Sequence, residues 1–372
     1  MSADAAALIG LAHEQSAAFA ERESELDAAG RYPSENIRDL FDRGFFAATL
    51  PAALGGAEIA LADYVEIVRI LAHGSPSTAL LYVMPSALVA VTRIPEALVP
   101  EAHRAPFREQ SAWIAGEVAA RKIFAVANSE PGAGGKISET KTTARKNGGD
   151  VLLNGKKSFC SFGRYANYFM CAARSDSGVD EFLVARGAAG LDVGTDWTAL
   201  GMRSTESVSL TLHDTPAVAL LGYPGMLERA NARHWSTLGF AATFLGAGEA
   251  LYESGRSSPG AQKALSRSDL AAFRLFLEAG RSYLREVARG EHWPISETWK
   301  KQPARVKTFI TRGVSDHAVA MLNVGGGAAY VGRGSLQRLA RDAMAGPFLR
   351  PPLPLALEEM EKEILADPPI TG

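Results

Sequence analysis

The chain has 372 residues, of which 47% are hydrophobic and 22% charged, and its formal net charge is −2 at pH 7. This composition is typical of a globular protein large enough for two or three domains, and the near-neutral charge argues against nucleic acid or an anionic membrane surface as a partner. The two cysteines form no CxxC pair and the seven histidines are scattered, which argues against a disulfide framework or a metal site and favours a reducing, cytoplasmic compartment.

The first part of the chain shows helical periodicity. SENIRDLFDRGFFA places Ile37, Leu40 and Phe41 on one face after a capping Ser34, and ALADYVEIVRILAHG repeats the pattern and ends in a glycine. The apolar stretch TALLYVMPSALVAV contains a proline and is too short to span a bilayer, while MSADAAALIG lacks the basic region of a signal peptide. We therefore predict an N-terminal α-helical domain over residues 1–120 and no membrane partner.

Residues 121–222 consist of short strand-like runs broken by Gly, Asp and Pro. NYFMCAARS and DEFLVAR are two such runs, and SVSLTLHDTPA alternates at Val208, Leu210 and Leu212. Asn154-Gly155 lies between two apolar segments, and this pair predicts a two-residue hairpin turn. The pattern predicts a middle β domain.

Helical periodicity returns over residues 223–372. STLGFAATFLGAGEALYE is apolar nearly all round, which is typical of a helix buried inside a bundle. DLAAFRLFLEAGRSYLREVA and QPARVKTFITRGVSDHAVAMLNV are long and amphipathic. The predicted fold class is therefore multi-domain α and β, in the order α domain, β domain, C-terminal helical bundle domain.

The loop NSEPGAGG, residues 128–135, is rich in glycine directly after the apolar stretch KIFAVA. Glycines let a backbone approach a phosphate closely, but the specific nucleotide-binding templates do not fit. A Rossmann fingerprint would require glycine at Ile137, and a P-loop would require Ser or Thr there, directly after Gly135-Lys136. On local pattern alone, a tight loop after a strand and a ligand-binding loop both remain open.

Four motifs, in order, resemble the acyl-CoA dehydrogenase superfamily of flavoproteins. SEPGAGG is similar to the T-E-P-x-A-G-S-D loop of that family, and LNGKKSFCSFG is similar to its L-N-G-x-K-x-W-I-T-N-G segment. ALGMRSTESVSLTLHD looks like its L-G-M-R-x-T strand pair, and NVGGGAAYVGRGSLQRLARDA resembles its Q-x-x-G-G-x-G-Y…R-x-x-R-D-A run. The resemblance implies a middle β-barrel or sandwich and a C-terminal four-helix bundle.

The resemblance implies a flavin cofactor, FAD or alternatively FMN, and assigns residues to it. Ser129 and Ser161 take the places of two threonines beside the flavin ring, and Phe159 takes the place of a tryptophan that packs against it. Gly134 and Gly135 belong to the loop that borders the flavin, although Gly-Gly-Lys replaces the usual Gly-Ser-Asp. Serine keeps the hydroxyl and phenylalanine keeps an apolar ring. The two serines could instead cap local backbone.

The C-terminal motif implies contacts with the cofactor of a partner subunit in a homodimer or homotetramer. Gly326 and Gly327 match the glycine pair of the family, and Asn323 stands where the family has glutamine. Arg256, in RSSPG, is the residue that best matches the arginine for the pyrophosphate. Glycine at 325–327 is also typical of a helix end followed by a turn, and both interpretations are compatible.

The resemblance fails at the catalytic base. The family commonly places a glutamate nine residues after the arginine of R-D-A, and the corresponding position after Arg341 is Arg350. A second position used by some members falls in HWST, where His234 is the titratable residue, either catalytic or a structural histidine. Arg350 either lies in the site or belongs to a tail segment, since the two following prolines disfavour a helix there.

Three functions are compatible with these observations. The first is an FAD-dependent oxidoreductase that acts on an acyl-CoA or other acyl thioester by α,β-dehydrogenation, with hydride transfer to flavin N5 but without the usual glutamate. The second is a flavin monooxygenase on the same fold that uses reduced flavin and oxygen. The third is a non-catalytic flavin-binding subunit. Fold alone does not decide between these chemistries; the deciding feature is whether an acid reaches the site.

Overall fold

The first third of the chain folds into helices, as its periodicity predicts. The computed structural model describes residues 3–230, 233–331 and 334–364. The helices before the first strand are α1 (Ala3–Ala29), α2 (Ser34–Asp42), α3 (Leu61–Gly74), α4 (Pro76–Val89) and α5 (Arg104–Ala119). Ser75 caps α4 by accepting a hydrogen bond from the backbone N–H of Thr78 at 3.1 Å.

The middle of the chain forms one mixed sheet. Its strands are β1 (Phe124–Ala127), β2 (Thr143–Asn147), β3 (Asp150–Cys160), β4 (Tyr168–Ser175), β5 (Gly178–Ala185), β6 (Leu191–Val193), β7 (Val208–Pro216) and β8 (Ala219–Leu220). The strand order is β6-β7-β3-β2-β4-β5-β8, and β1 lies parallel to β4. The glycine-rich loop that follows β1 then reaches β3, where Ser129 forms an isolated bridge with Ser158.

The hairpin turn predicted at Asn154-Gly155 is wrong. β2 and β3 pair antiparallel up to the register Asn147 with Asp150, so Gly148-Gly149 forms the turn. β3 continues through Gly155, where its register with β7 shifts. A Cβ atom on Gly155 would collide with Thr142, so the glycine here permits a close approach of two backbones.

The last part of the chain is helical. Its helices are α6 (Met226–Arg229), α7 (His234–Arg256), α8 (Ala264–Arg289), α9 (Glu297–Gly325), α10 (Gly327–Val331), α11 (Ser335–Ala343) and α12 (Leu353–Ile364). α7 packs against α3, α4, α8, α9 and α11, which confirms the buried bundle helix. The fold class is thus confirmed, whereas the domain boundaries near 121 and 223 stay predictions.

The most apolar helices are interior ones. Every residue of α4 is buried, and so is most of α7. A Cβ atom on Gly239 of α7 would lie 2.8 Å from the hydroxyl of Tyr64 on α3, so the absence of a side chain lets these helices approach. Within the described ranges, no helix has the length and apolar character that crossing a membrane requires.

Candidate active site

A cavity of about 820 Å³ lies where the three segments of the chain meet. Helix α4, strands of the sheet, the first half of α7 and the segment after α11 all contribute to its walls. Most of its lining is apolar, with Leu80, Met84, Val126, Met170, Phe240 and Phe244 among the lining residues. This size and character are typical of a site for a cofactor or small molecule.

Glu130 fixes the glycine-rich loop to the sheet. Its carboxylate accepts hydrogen bonds from the backbone N–H of Lys141 at 2.6 Å, from the backbone N–H and hydroxyl of Thr142 at 3.1 and 2.6 Å, and from the ammonium of Lys157 at 2.6 Å. Burial alone would raise the pKa of Glu130, but these hydrogen bonds lower it below the usual glutamate value. The loop is therefore held from within by a buried ion pair.

Two features of the structure require glycine in this loop: the backbone angles and the lack of space for a side chain. Gly134 and Gly135 have φ angles of 56° and 88°, a backbone region that disfavours side chains. Gly135 lines the cavity, and a Cβ atom there would lie 2.5 Å from Pro352. The loop is therefore a tight turn and also part of the cavity wall, so the two interpretations left open by the sequence hold together. Gly134 is outside the lining.

Ser129, Phe159 and Ser161 meet at the cavity, as the resemblance implies. Ser129 and Ser158 are joined by an isolated bridge between the glycine-rich loop and β3. Phe159 follows with a φ of 58°, at a register shift of β3, and its side chain is 67% exposed. An aromatic ring held open at a cavity fits a flat aromatic ligand. These hydroxyls and this ring suit a flavin, although their roles stay predictions.

A chain of hydroxyl groups orients Ser161. The hydroxyl of Thr205 donates to the carbonyl of Met202 at 2.9 Å, Ser207 lies 2.8 Å from Thr205, and Ser161 lies 2.9 Å from Ser207. Each hydroxyl has one hydrogen. Because Thr205 donates to a carbonyl, Ser207 must donate to Thr205, and Ser161 must donate to Ser207. Ser161 therefore presents only an acceptor oxygen to a further partner.

Arg350 lies in the cavity wall rather than in a tail directed into solvent. Its Nε donates to the hydroxyl of Ser129 at 3.1 Å, and its Nη2 donates to the carbonyl of Asn128 at 2.5 Å. Among the described residues, no acceptor is paired with its Nη1. Burial and the nearby Arg233 lower the pKa of Arg350 to about 10, so it remains a cation at neutral pH.

Lys307 holds the segment that carries Arg350. This α9 residue is fully buried, and its Nζ donates to the carbonyls of Leu349 and Pro351 at 2.6 and 2.8 Å. Burial lowers the pKa of Lys307 to about 7. The amine therefore binds the backbone on both sides of Arg350.

Glu181 is a cavity residue that the motifs did not reveal. It lies on β5 and is 4% exposed, and its Oε1 accepts a hydrogen bond from the side chain of Asn128 at 2.7 Å. Burial raises the pKa of Glu181, while Arg233, Asn128 and Arg350 act in the opposite direction. The only sequence signal was a pair of adjacent acidic residues, Asp180 and Glu181, directly before the apolar run FLVA of the same strand.

The remaining predicted residues lie elsewhere. His234 is outside the cavity lining; its Nε2 lies 2.5 Å from Glu291, and its ring contacts Trp299 edge-on at 5.1 Å. This is the structural arrangement left open by the sequence, and a catalytic role for His234 gains no support from it.

Arg256, Asn323, Gly326 and Gly327 lie at another corner of the bundle, outside the cavity lining. Arg256 is the last residue of α7, and Asn323 is exposed near the end of α9. Gly326 caps α9 with a φ of 70°. Contacts between Ser258 and Val324 bring these two helix ends together. Their predicted contact with a partner's cofactor stays a prediction. Residues 332 and 333 of the same motif lie outside the described residues.

Comparison with known proteins agrees with this architecture. Residues 12–96 match the acyl-CoA dehydrogenase N-terminal domain, and residues 125–215 match the acyl-CoA dehydrogenase middle domain. The chain is 27% identical over 353 residues to the 3-sulfinopropanoyl-CoA desulfinase of Advenella mimigardefordensis, covering 87% of this chain and 84% of that protein. It is 25% identical over 351 residues to the mitochondrial short-chain specific acyl-CoA dehydrogenase of Bos taurus, covering 87% and 82%.

A solved structure extends the similarity in fold to the last helices. KijD3, in complex with FMN and dTDP-3-amino-2,3,6-trideoxy-4-keto-3-methyl-D-glucose, superposes with a TM-score of 0.86 at 21% identity, covering 100% of this chain and 96% of that one. At this identity the similarity concerns the fold. Together with the domain matches and the relatives that span most of the chain, it shows that this protein belongs to the acyl-CoA dehydrogenase superfamily of flavin-dependent oxidoreductases.

Proposed function

We propose that this protein is a flavin-dependent monooxygenase-type member of its superfamily. The observation that carries the proposal is Arg350, a half-buried cation bonded to Ser129. By the sequence resemblance, this is the position where a dehydrogenase has its carboxylate base. An arginine does not accept a proton near neutral pH, whereas removal of the weakly acidic α-proton of a thioester requires a positioned acceptor.

The cavity residues suit this role. When bound in its reduced form, the flavin would supply the electrons for dioxygen activation. Ser161, as an acceptor, would bind an N–H group of the cofactor, and Phe159 would cover its ring. Arg350 would stabilise negative charge that develops on the substrate, since its Nη1 has no acceptor among the described residues.

The first test is anaerobic mixing of the flavin-loaded protein with butyryl-CoA and octanoyl-CoA. We expect the oxidised flavin spectrum to persist, because position 350 offers no base. A short-chain acyl-CoA dehydrogenase is mixed with the same ligands as a control. Its flavin should be reduced and lose its visible absorption band. Bleaching of this protein at a comparable rate would contradict the proposal. Addition of reduced flavin and oxygen to a panel of apolar substrates should give products heavier by one oxygen atom.

A second candidate function is dehydrogenation with a different base, and Glu181 is the observation that favours it. Its carboxyl group lies in the cavity wall and accepts a hydrogen bond from Asn128. In this case the anaerobic experiment bleaches the flavin, and Glu181→Gln abolishes the bleaching. Under the monooxygenase proposal neither protein bleaches. The same experiment therefore separates the two functions.

We also propose FAD as the resident flavin, in a homodimer or homotetramer. The exposed apolar side chains Leu265 and Leu275 on α8 and Val319 on α9 suit an interface between subunits. Light scattering at micromolar concentration should give twice or four times the mass of the chain. A monomer that still retains FAD would contradict a shared cofactor site. Chromatography of the released flavin distinguishes FAD from FMN.

A further inference from the structure

Glu181 differs from the neighbouring acidic residue on the same strand. Side chains at successive strand positions point to opposite faces. Asp180 accepts hydrogen bonds from the hydroxyl of Ser175 at 2.6 Å and the backbone N–H of Gly225 at 2.8 Å, so it has a structural role. Glu181 lines the cavity with one hydrogen bond from Asn128. Among the described residues, its Oε2 has no hydrogen-bond partner.

Asn128 fixes the direction of the Glu181 carboxyl group. The Oδ1 of Asn128 accepts a hydrogen bond from the backbone N–H of Ala172 at 2.9 Å, which leaves its Nδ2 to donate to Glu181 at 2.7 Å. The carbonyl of Asn128 accepts from Arg350. One asparagine thus connects the buried Glu181 to the half-buried Arg350, and both groups line the same cavity.

Charged groups of both signs surround Glu181. Arg233 precedes α7, Arg350 follows α11, and both act electrostatically on Glu181, as does Asp180 on its own strand. Cys171 on β4 also lies near Glu181, but burial raises its pKa to about 12, so it is a neutral thiol. With Glu181 and Asp180 both ionised, the two arginines balance the two carboxylates. When Glu181 takes up a proton, the same wall gains a positive charge that can stabilise a new anion on a ligand.

We propose that Glu181 is the proton acceptor of the cavity, for a weakly acidic and otherwise apolar ligand whose conjugate base is an oxyanion. In this step the O–H bond of a phenol breaks. The proton moves to Oε2 of Glu181, and the electron pair remains on the ligand. Arg350 stabilises the resulting oxygen charge through Nη1. The apolar walls bind the rest of the molecule. This inference rests on the proposed function only in taking the cavity as the substrate site.

The test uses 4-nitrophenol, because its phenolate has a visible absorption band that the phenol lacks. The flavin-loaded protein is titrated below the pKa of the free ligand, with visible and infrared difference spectra recorded together. We expect the wild-type protein to show bound phenolate and one new protonated-carboxyl band for each site. Glu181→Gln, which retains an oxygen for Asn128, should lack that band. Glu359→Gln, which removes an exposed carboxyl group at the mouth of the same cavity, should retain it.

Three outcomes would overturn this assignment: absence of binding, binding of un-ionised phenol, or a band that persists in Glu181→Gln. If the protein forms an oxygenated product but shows no new carboxyl band, the proposed function stands and this inference is wrong. The two proposals can therefore fail separately.

Discussion

Lys157→Met is expected to lower the free energy of unfolding by about 3–5 kcal/mol, the range for removing one partner of a buried ion pair. Lys157 is fully buried, and its ammonium contacts Glu130 at 2.6 Å and the carbonyl of Ala172 at 2.5 Å. Methionine fills the same volume but leaves the Glu130 charge without a cation. Urea denaturation of the purified variant measures the change.

Lys156→Met is the matched control, because Lys156 is the adjacent residue of β3 and is exposed. It should change the free energy of unfolding by less than about 0.5 kcal/mol, as is usual for surface substitutions. Equal stability of the two variants would show that the buried pair contributes nothing to the fold.

The Lys157→Met effect should depend on pH in a defined direction. The pKa of Glu130 is lowered in the folded protein, so its stabilising contribution is present above the pKa of the unfolded chain and is lost as the pH falls through the folded value. The difference between wild type and Lys157→Met should therefore narrow on acidification below the usual glutamate range. A difference that widens there would contradict this assignment of the charge.

The sequence predicted the cavity residues whose positions lie within contiguous motifs. Ser129, Phe159 and Ser161 are set by the ends of two strands, so local pattern and resemblance were enough to bring them together. Glu181 was missed because its burial depends on the pairing of β5 with β4 and on the side chain of Asn128, which lies 53 residues earlier. Such contacts have no local periodicity.

The hairpin error has a related cause. Asn-Gly is a strong turn signal, but Gly148-Gly149 competes with it six residues earlier in the same antiparallel pair. The requirement that selects glycine at position 155 is the backbone of Thr142, which the sequence pattern does not show. The position of Arg350 was likewise left open, because the buried amine that fixes its segment lies on α9.

Lys307→Met is expected to release that segment. The variant loses both hydrogen bonds from Nζ, to Leu349 and Pro351, and leaves two carbonyls without their donor. Each carbonyl left unsatisfied costs about 1–3 kcal/mol where it stays buried. Amide hydrogen exchange should accelerate in peptides that cover residues 346–356. Lys300→Met, on the exposed side of the same helix, should leave exchange in that region unchanged.

The Lys307→Met variant should also weaken ligand binding by Arg350. Its guanidinium reaches Ser129 and Asn128 only while the backbone on both sides of it is held. Lys307→Met should therefore weaken binding of anionic ligands in the cavity about tenfold, as should Arg350→Met. If Lys307→Met binds these ligands like the wild type while exchange accelerates, Arg350 is positioned by its own contacts and not by Lys307.

The pH dependence gives Lys307 a signature that packing alone does not produce. Its pKa is lowered to about 7 in the folded protein, so between pH 7 and the ordinary lysine range the unfolded chain binds one more proton than the folded one. As the pH increases over this range, the free energy of unfolding of the wild type should therefore rise relative to that of Lys307→Met. The rise is up to about 1.4 kcal/mol for each pH unit. A neutral amine retains two hydrogens, which match its two carbonyl acceptors, so the segment stays bound as the proton leaves. Parallel stability curves for the two proteins from pH 7 to 9 would show that Lys307 stays charged.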